Sequence, residues 1–155
     1  MLGDATQFAR RDLVGAVAAS ALAAERSCWG VRWIVDGMNL IGSKPDGWWR
    51  DRAGAQRRLV SDLARSVRFD GDDVEVVFDG QARPAAVVTG VTVTYAPGGP
   101  NAADRVIAAM VRALPDPAGT TVVTSDGDLA RQVRTAGAGV LGVSAFRRLL
   151  ERPAT

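Results

Sequence analysis

The stretch TTVVTSDGDLARQV (residues 120–133) predicts a short buried strand that is followed directly by a helix. The apolar run stops at Ser125, and Asp126 then lies three residues before Leu129 and seven before Val133, which is helical spacing. Asp126 therefore begins the apolar face of the helix, whereas Asp128 lies on the polar face. A strand that leads at once into a helix is the repeating unit of α/β proteins with a parallel sheet.

The same alternation of strand and helix continues along the chain from residue 31. Further strands are predicted for VRWIVDG (31–37), VEVVFDG (74–80), VTVTYAPGG (91–99) and GVLGVS (139–144). Helices are predicted for GAQRRLVSDLARSV (54–67), for NAADRVIAAMVRAL (101–114) with Asn101 as its cap, for the segment from Asp126 to about Ala136, and, as a last turn, for AFRRLLE (145–151). The strands are apolar on both faces, which predicts an α/β fold with a mainly parallel central sheet between two layers of helices.

Composition narrows the possible chemistry. The 155 residues suffice for one domain with a hydrophobic core. The chain has no histidine, which excludes Ser-His-Asp catalysis, histidine zinc sites and histidine acid–base chemistry. Its only lysine, Lys44, lacks the glycine spacing of a phosphate-binding P-loop, and no GxGxxG motif follows a strand. Any catalysis therefore depends on carboxylates, on hydroxyls or on a metal ion that they bind.

Charge and cysteine content indicate the partner and the compartment. There are 19 basic residues against 17 acidic ones, and all basic residues except Lys44 are arginines, which bind phosphate well. Codon composition explains the arginine content equally well. Cys28 is the only cysteine and cannot form a disulfide within the chain, so a cytoplasmic location is expected. No stretch of the sequence predicts a membrane span.

Residues 1–30 do not follow the α/β pattern. The segment ARRDLVGAVAASALAAERS (9–27) places two arginines before an apolar stretch of signal-peptide length. Three interpretations remain open for this N-terminal extension: an additional surface helix, a targeting leader, or a start codon assigned too early. The folded domain is expected to span residues 31–152.

Aspartates follow the predicted strands. Asp36, Asp79 and Asp126 come at the ends of three apolar runs, and parallel strands end at one edge of a sheet, where α/β proteins bind ligands. Asp104 joins them because it lies three residues before Ile107 on the apolar face of its helix. Each aspartate alone fits a turn or a helix cap, but together they would repel one another unless a cation neutralised them. An oxygen-only site suits Mg²⁺ or Mn²⁺.

Four motifs carry a resemblance to a known family. VDGMNLIG, VVFDG, NAADRVI and VTSDGDLARQVRTAGAGVLGVSAFRRLL, in this order, resemble the NYN domain, in particular its YacP-like branch, a relative of the PIN-type nucleases. The resemblance covers residues 31 to about 150. It implies a PIN-like sandwich and a metal-dependent endoribonuclease that acts on single-stranded or flexible RNA, with the ribosome as a further candidate partner. The oligomeric state stays open.

The resemblance also implies roles for individual residues. Matched position by position, the family's acidic residues correspond to Asp36, Asp79, Asp104 and Asp126, which are expected to be catalytic and to bind the metal ion. Asp128 is expected to be a supporting metal ligand. The implied reaction is hydrolysis of a phosphodiester bond by metal-activated water, which needs no histidine.

The segment PDGWWRDRAGAQRR (45–58) is predicted to contact RNA, because aromatic rings stack on bases and arginines bind phosphates. The predicted contact residues in it are Trp48, Trp49, Arg50, Arg52, Arg57 and Arg58. Arg83, in the predicted loop GQARPAAVVTG (80–90), is expected to reach a phosphate, Asn39 to orient a ligand or bind phosphate, and Ser125 to offer a hydroxyl. The alternatives are packing of the tryptophans against the helix and ordinary turn or cap bonding by Asn39 and Ser125.

Two other function classes compete with the nuclease. A haloacid-dehalogenase-like phosphatase needs a second acid two residues after the first, and Met38 holds that position after Asp36. A catalytically silent RNA-binding or interaction module of the same fold would bind RNA equally well without divalent metal and leave it intact. The sequence alone does not separate this module from the nuclease.

Overall fold

The computed structural model of the protein describes residues 31–66, 71–80, 86–88 and 90–152. The strands in these residues are β1 (Arg32–Asp36), β2 (Asp73–Asp79), β3 (Ala86–Val88), β4 (Val91–Ala96), β5 (Thr120–Val123) and β6 (Gly139–Leu141). The helices are α1 (Gly37–Gly42), α2 (Arg52–Arg65), α3 (Ala102–Ala113), α4 (Gly127–Thr135) and α5 (Val143–Glu151), with short 3₁₀ helices at Trp48–Arg50 and Pro117–Gly119. The predictions for residues 1–30 and for Arg83 lie outside the described residues.

The described strands form one sheet in the order β3-β4-β2-β1-β5-β6. All neighbouring strands are parallel except β3, which pairs antiparallel with β4 at the edge. In the centre, Val35 of β1 lies between Val76 of β2 and Val123 of β5, so the carboxyl ends of these three strands reach the same edge. The predicted mainly parallel sheet is confirmed.

Alternate residues of each strand face opposite layers of helices. Val35 packs in a core with α1, α2 and α5, whereas Ile34 and Val77 pack in a second core with α3 and α4. Because Asp36 and Asp79 follow Ile34 and Val77 by two residues, both aspartates belong to the α3–α4 face. The predicted three-layer architecture is confirmed, and it places two carboxylates on one side of the carboxyl edge.

Three segments differ from the predictions. The polar turn expected after β1 is the helix α1, and a six-residue helix is too short to show an apolar period. Residues 86–88 form β3 instead of a loop and pair antiparallel with β4, and Gly90, directly before β4, has a φ of 82°. The last strand ends at Leu141, and the predicted last turn is the nine-residue helix α5.

The start of α1 depends on a glycine. A Cβ atom on Gly37 would lie 2.4 Å from Cε1 of Phe78 and 2.9 Å from Cγ2 of Val76, both on the neighbouring strand β2. The backbone of α1 can therefore approach the sheet only without a side chain at this position. This contact fixes where the chain turns directly after Asp36.

Among the described residues, no helix has both the length and the apolar character needed to cross a lipid bilayer.

Candidate functional site

Asp36 is the most buried carboxylate at the carboxyl edge, with 4 % of its surface exposed. Its Oδ1 accepts a hydrogen bond from the N–H of Asn39 at 3.4 Å, and its Oδ2 accepts one from the hydroxyl of Thr124 at 3.2 Å. Burial, followed by the charge of Asp104, raises the pKa of Asp36 to about 7, and the charge of Asp79 adds to the rise. The two hydrogen bonds lower this pKa but do not compensate.

A second buried acid shows what Asp36 lacks. Glu75 of β2 is 1 % exposed and pairs with Arg32 at 3.1 Å, while the hydroxyl of Thr94 donates to it at 2.7 Å. In the described part of the chain, no basic side chain pairs with Asp36. Among the described residues, Glu75 is therefore neutralised by an arginine inside the fold, whereas Asp36 has no such partner.

Asp79 connects β2 to the helix that carries Asp104. Its Oδ1 accepts a hydrogen bond from the N–H of Ala103 at 2.8 Å, in the first turn of α3. Asn101 holds the N-cap position as predicted, but its side chain makes no capping bond and its φ is 61°. The predicted cap by Asn101 is therefore wrong in its chemistry, because Asp79, on another strand, supplies the acceptor.

Asp104 is half-buried and lies within the electrostatic influence of the other acids. Burial raises its pKa first, then the charges of Asp126 and Asp79, with a smaller contribution from Asp128. Arg105 lowers this pKa, and it is the cation among the described residues that acts on Asp104. The four predicted catalytic aspartates therefore act on one another, as the convergence of the strand ends predicts.

Arg105 was not predicted to be part of the site. Its guanidinium donates to the backbone carbonyls of Pro100 and Gly98, both at 3.4 Å, in the loop before α3. The only signal in the sequence is its position directly after Asp104, which does not show where a flexible arginine points. The two hydrogen bonds to the loop carbonyls fix the orientation of the Arg105 guanidinium.

Thr124 joins two of the aspartates. Its hydroxyl donates to Asp36 and accepts a hydrogen bond at 3.1 Å from the N–H of Asp126. Asp126 in turn is the N-cap of α4, where its Oδ1 accepts from the N–H of Leu129 at 2.8 Å. Thr124 is 1 % exposed, so this link between β1 and the start of α4 is shielded from water.

Asn39 and Ser125 contact each other. The N–H of Ser125 donates to Oδ1 of Asn39 at 3.0 Å, and Oγ of Ser125 accepts from the N–H of Val143 at 3.0 Å, at the start of α5. Because Oδ1 accepts this bond, the amide NH₂ group is the part of the Asn39 side chain that is left to donate. That group donates no hydrogen bond to the described residues.

Arg147 holds the far end of α1. This arginine of α5 donates to the carbonyl of Leu40 at 2.9 Å, to the carbonyl of Ser43 at 3.4 Å, and to the hydroxyl of Ser43. These bonds satisfy carbonyls that a helix end leaves free. Sequence reasoning missed Arg147, because its partners lie more than 100 residues away along the chain and no periodicity signals them.

The residues of the predicted RNA-contact segment lie in different surroundings. Arg52 donates to the backbone carbonyl of Asp79 at 3.0 Å and so lies at the carboxyl edge. Trp48 packs against the core, as the alternative interpretation expects, whereas Trp49 is 58 % exposed with the guanidinium of Arg50 at 6.0 Å from its ring centre. Arg58 lines a separate cleft of about 270 Å³ between α1, α2 and α5.

The acidic residues of the carboxyl edge have the donor atoms that a metal ion needs, but their spacing does not enclose one. As placed, no three acidic or cysteine side chains of the described residues are close enough together to enclose one. Asp128 is exposed and pairs with Arg131. The donor chemistry does fit a hard divalent cation, because the candidate groups are carboxylates, and burial together with neighbouring aspartates raises the pKa of Asp36 and of Asp104. Asp79 and Asp126 each use only Oδ1 in the described hydrogen bonds, which leaves Oδ2 available.

Comparisons with known proteins identify the family. The model of the YacP-like NYN domain matches residues 33–154. A crystal structure of a tryptophan-to-leucine variant of Rae1 (YacP) from Bacillus subtilis is 26 % identical, with a TM-score of 0.64 over 78 % of this chain and 75 % of that chain. A second Rae1 crystal structure is 26 % identical, with a TM-score of 0.61 over 77 % and 72 % of the two chains. A comparison with curated proteins gives no match.

The structural match confirms that the sandwich is PIN-like, since the sheet and its helices superpose on Rae1 over most of both chains. The match by the family model covers well over half of the chain and includes all four aspartates of the carboxyl edge. The chain therefore belongs to the family of YacP-like NYN domains, which are nucleases of PIN-like fold.

Proposed function

We propose that the chain is a divalent-metal-dependent endoribonuclease that hydrolyses phosphodiester bonds in single-stranded RNA in the cytoplasm. The observation that carries the proposal is the charge at the carboxyl edge. Asp36 and Asp104 both have raised pKa values through burial and through the charges of neighbouring aspartates, and Arg105 opposes the rise only at Asp104. A site that concentrates uncompensated carboxylates favours a bound cation.

Asp36, Asp79, Asp104 and Asp126 would hold Mg²⁺ or Mn²⁺, with Asp128 as a further ligand. When bound, the ion supplies a water molecule of lowered pKa and stabilises the negative charge that develops on the phosphate. The chain's own contribution is to fix the carboxylates. Thr124 orients Asp36 and Asp126 against each other, and the N–H of Ala103 orients Asp79.

The groups around the carboxylates suit an RNA strand. The amide NH₂ of Asn39 would donate to a non-bridging phosphate oxygen, in the orientation that Ser125 imposes on it. The exposed ring of Trp49 would stack on a base, and Arg50 and Arg52 would bind phosphates on either side. Stacking and phosphate contacts tolerate many base sequences.

A catalytically silent RNA-binding module is the competing function. It is favoured by the capping bonds of Asp36, Asp79 and Asp126, and by the lack of a closed three-ligand cluster among the described residues. Capping and metal binding are compatible, because a carboxylate has two oxygens. We therefore prefer the nuclease.

The test combines cleavage with thermal unfolding. The parent should cleave single-stranded RNA in Mn²⁺ but not in EDTA, and saturating Mn²⁺ should raise its Tm by roughly 5–10 °C. Asp104→Asn should lose cleavage and most of this shift. Asp62→Asn, a matched change at an exposed aspartate of α2, should retain both. RNA binding that is unchanged by EDTA, with no cleavage and no shift in Tm, would identify the silent module.

A further inference from the structure

A groove of about 750 Å³ runs between α2 and the sheet, on the opposite face from Asp36 and Asp79. Val60 and Ala64 of α2 form one wall, and Val93 and Tyr95 of β4 and Val88 of β3 form the floor and the other wall. Val88 is 45 % exposed, although it is apolar and belongs to a strand. The volume lies in the range of sites that bind organic ligands.

The charged side chains that line the groove in the described residues are arginines. Arg57 and Arg65 of α2 both line it, together with Gln56 and Ser61, and none of the described lining residues is acidic. Eight residues separate the two arginines, which places them about 12 Å apart along the helix axis. This spacing exceeds a single phosphate group, so the pair suits a chain of phosphates better than a mononucleotide.

The groove begins near the candidate site. Phe78, one of its lining residues, directly precedes Asp79, and Gln56 donates to the sulfur of Met38 in α1 at 3.5 Å. Arg52, one helical turn before Gln56, donates to the carbonyl of Asp79. The N-terminal end of α2 therefore lies beside the carboxyl edge, and Arg65 lies at the far end of the same helix.

We propose that this groove binds a second stretch of the RNA strand, with bases against the apolar floor and phosphates on Arg57 and Arg65. The inference rests on the proposed function, since it extends the RNA from the carboxyl edge along α2. Tyr95 is partly exposed and packs its ring on that of Phe78, with 6.0 Å between the ring centres, so the floor of the groove is aromatic as well as apolar. A purely apolar peptide would leave the two guanidinium groups without partners, whereas RNA supplies both base faces and phosphates.

Equilibrium binding in EDTA, where no cleavage occurs, tests the groove. The probes are fluorescent oligouridylates of four and twelve nucleotides, of which only the longer can occupy the carboxyl edge and the whole length of the groove at once. The parent should bind the longer probe more tightly, and Arg65→Ala should reduce the ratio of the two affinities by about tenfold. Arg65→Ala should also lower the log–log salt slope for the longer probe by about 0.7.

Ser61→Trp fills the groove without changing its charge and should reduce the same ratio while leaving the salt slope nearly unchanged. Arg134→Ala, at the exposed end of α4 on the other face, should leave the ratio as in the parent. If the ratio of the two probe affinities is unchanged in both Arg65→Ala and folded Ser61→Trp, the groove does not bind RNA, even if the parent cleaves RNA in Mn²⁺. Groove-dependent binding by a parent that cleaves nothing in Mn²⁺ supports the groove and contradicts the nuclease.

Discussion

The carboxylate of Asp79 accepts a hydrogen bond at 2.8 Å from the backbone N–H of Ala103, so the last residue of β2 caps the helix that carries Asp104. Asp36 and Asp126 accept equivalent bonds at the starts of α1 and α4. Three helix N-termini thus meet the carboxylates at one edge, and their dipoles partly offset the negative charge. These capping bonds stabilise carboxylates that would otherwise repel one another at this edge.

Two substitutions of Asp79 separate its capping role from its charge. Asp79→Asn and Asp79→Ala both remove the charge, but only Asn keeps an oxygen that accepts from Ala103. The Ala variant should therefore be less stable than the Asn variant by about 1 kcal/mol, which is roughly 2–4 °C in Tm in EDTA. Both variants should lose Mn²⁺-dependent cleavage. Equal Tm values for the two would show that the bond to Ala103 does not stabilise α3.

The raised pKa of Asp36 predicts a pH dependence of stability. The folded carboxyl has a pKa of about 7 against 3.8 in the unfolded chain, so between these values the folded state binds more protons. The unfolding free energy should then decrease as the pH rises from about 4 to about 7, with a slope of up to about 1.4 kcal/mol per pH unit. Urea unfolding in EDTA across this window measures it.

Asp36→Asn provides the control, because asparagine does not titrate and keeps an acceptor for the N–H of Asn39. The variant should show a flatter profile and should be more stable than the parent near pH 7. A parent whose stability rises through this window in EDTA would contradict the burial of an uncompensated carboxylate at Asp36.

Gly37 and Gly42 offer the same substitution at the two ends of α1. Gly37→Ala places a Cβ atom 2.4 Å from the ring of Phe78, so overpacking should destabilise the fold by about 1–3 kcal/mol. A Cβ atom on Gly42 would lie 3.9 Å from Trp48, which is ordinary contact, and Gly42→Ala should stabilise the helix by roughly 0.5–1 kcal/mol. Chemical denaturation of the two variants should give changes of opposite sign. Equal effects would mean that α1 does not pack on β2 as described.

The edge with its four aspartates could be predicted from the sequence because two patterns determine it: the apolar runs of the strands and the apolar period of the helices. Apolar runs fixed the strands, and Asp36, Asp79 and Asp126 follow such runs directly. The helical period placed Asp104 on the buried face of α3. Parallel pairing then brings these positions to one side whatever the details of the loops.

Hydrogen bonds between distant segments could not be predicted. The guanidinium of Arg147 binds α1, which lies more than 100 residues earlier in the sequence. Asp79, at the end of β2, accepts the capping bond of α3 in place of Asn101. Such contacts depend on the separation of elements after packing, which leaves no periodic trace in the sequence. The short strand β3 was missed for a similar reason, since its three residues pair only with β4.

Asn39 allows the substrate contact to be tested separately from the metal ligands. Its Oδ1 accepts from the N–H of Ser125, so the NH₂ group is the part that is left to donate to a substrate. Asn39→Asp keeps an acceptor for Ser125 but replaces the donor with an oxygen that repels phosphate. Asn39→Ala removes both groups.

Asn39→Ala loses the bond to Ser125 and should unfold at a Tm lower than that of the parent by roughly 2–4 °C. Asn39→Asp keeps that bond but adds a carboxylate beside Asp36, so its Tm in EDTA should also fall, and Mn²⁺ should restore it. Both should cleave RNA at least about tenfold more slowly in Mn²⁺, because the donor to the phosphate contributes on the order of 1.5–3 kcal/mol. The Mn²⁺-induced rise in Tm should persist in Asn39→Ala, since this residue is not proposed to bind the ion. Asn39→Asp with the cleavage rate of the parent would exclude the amide as a phosphate donor and leave Asn39 with the structural task of holding Ser125.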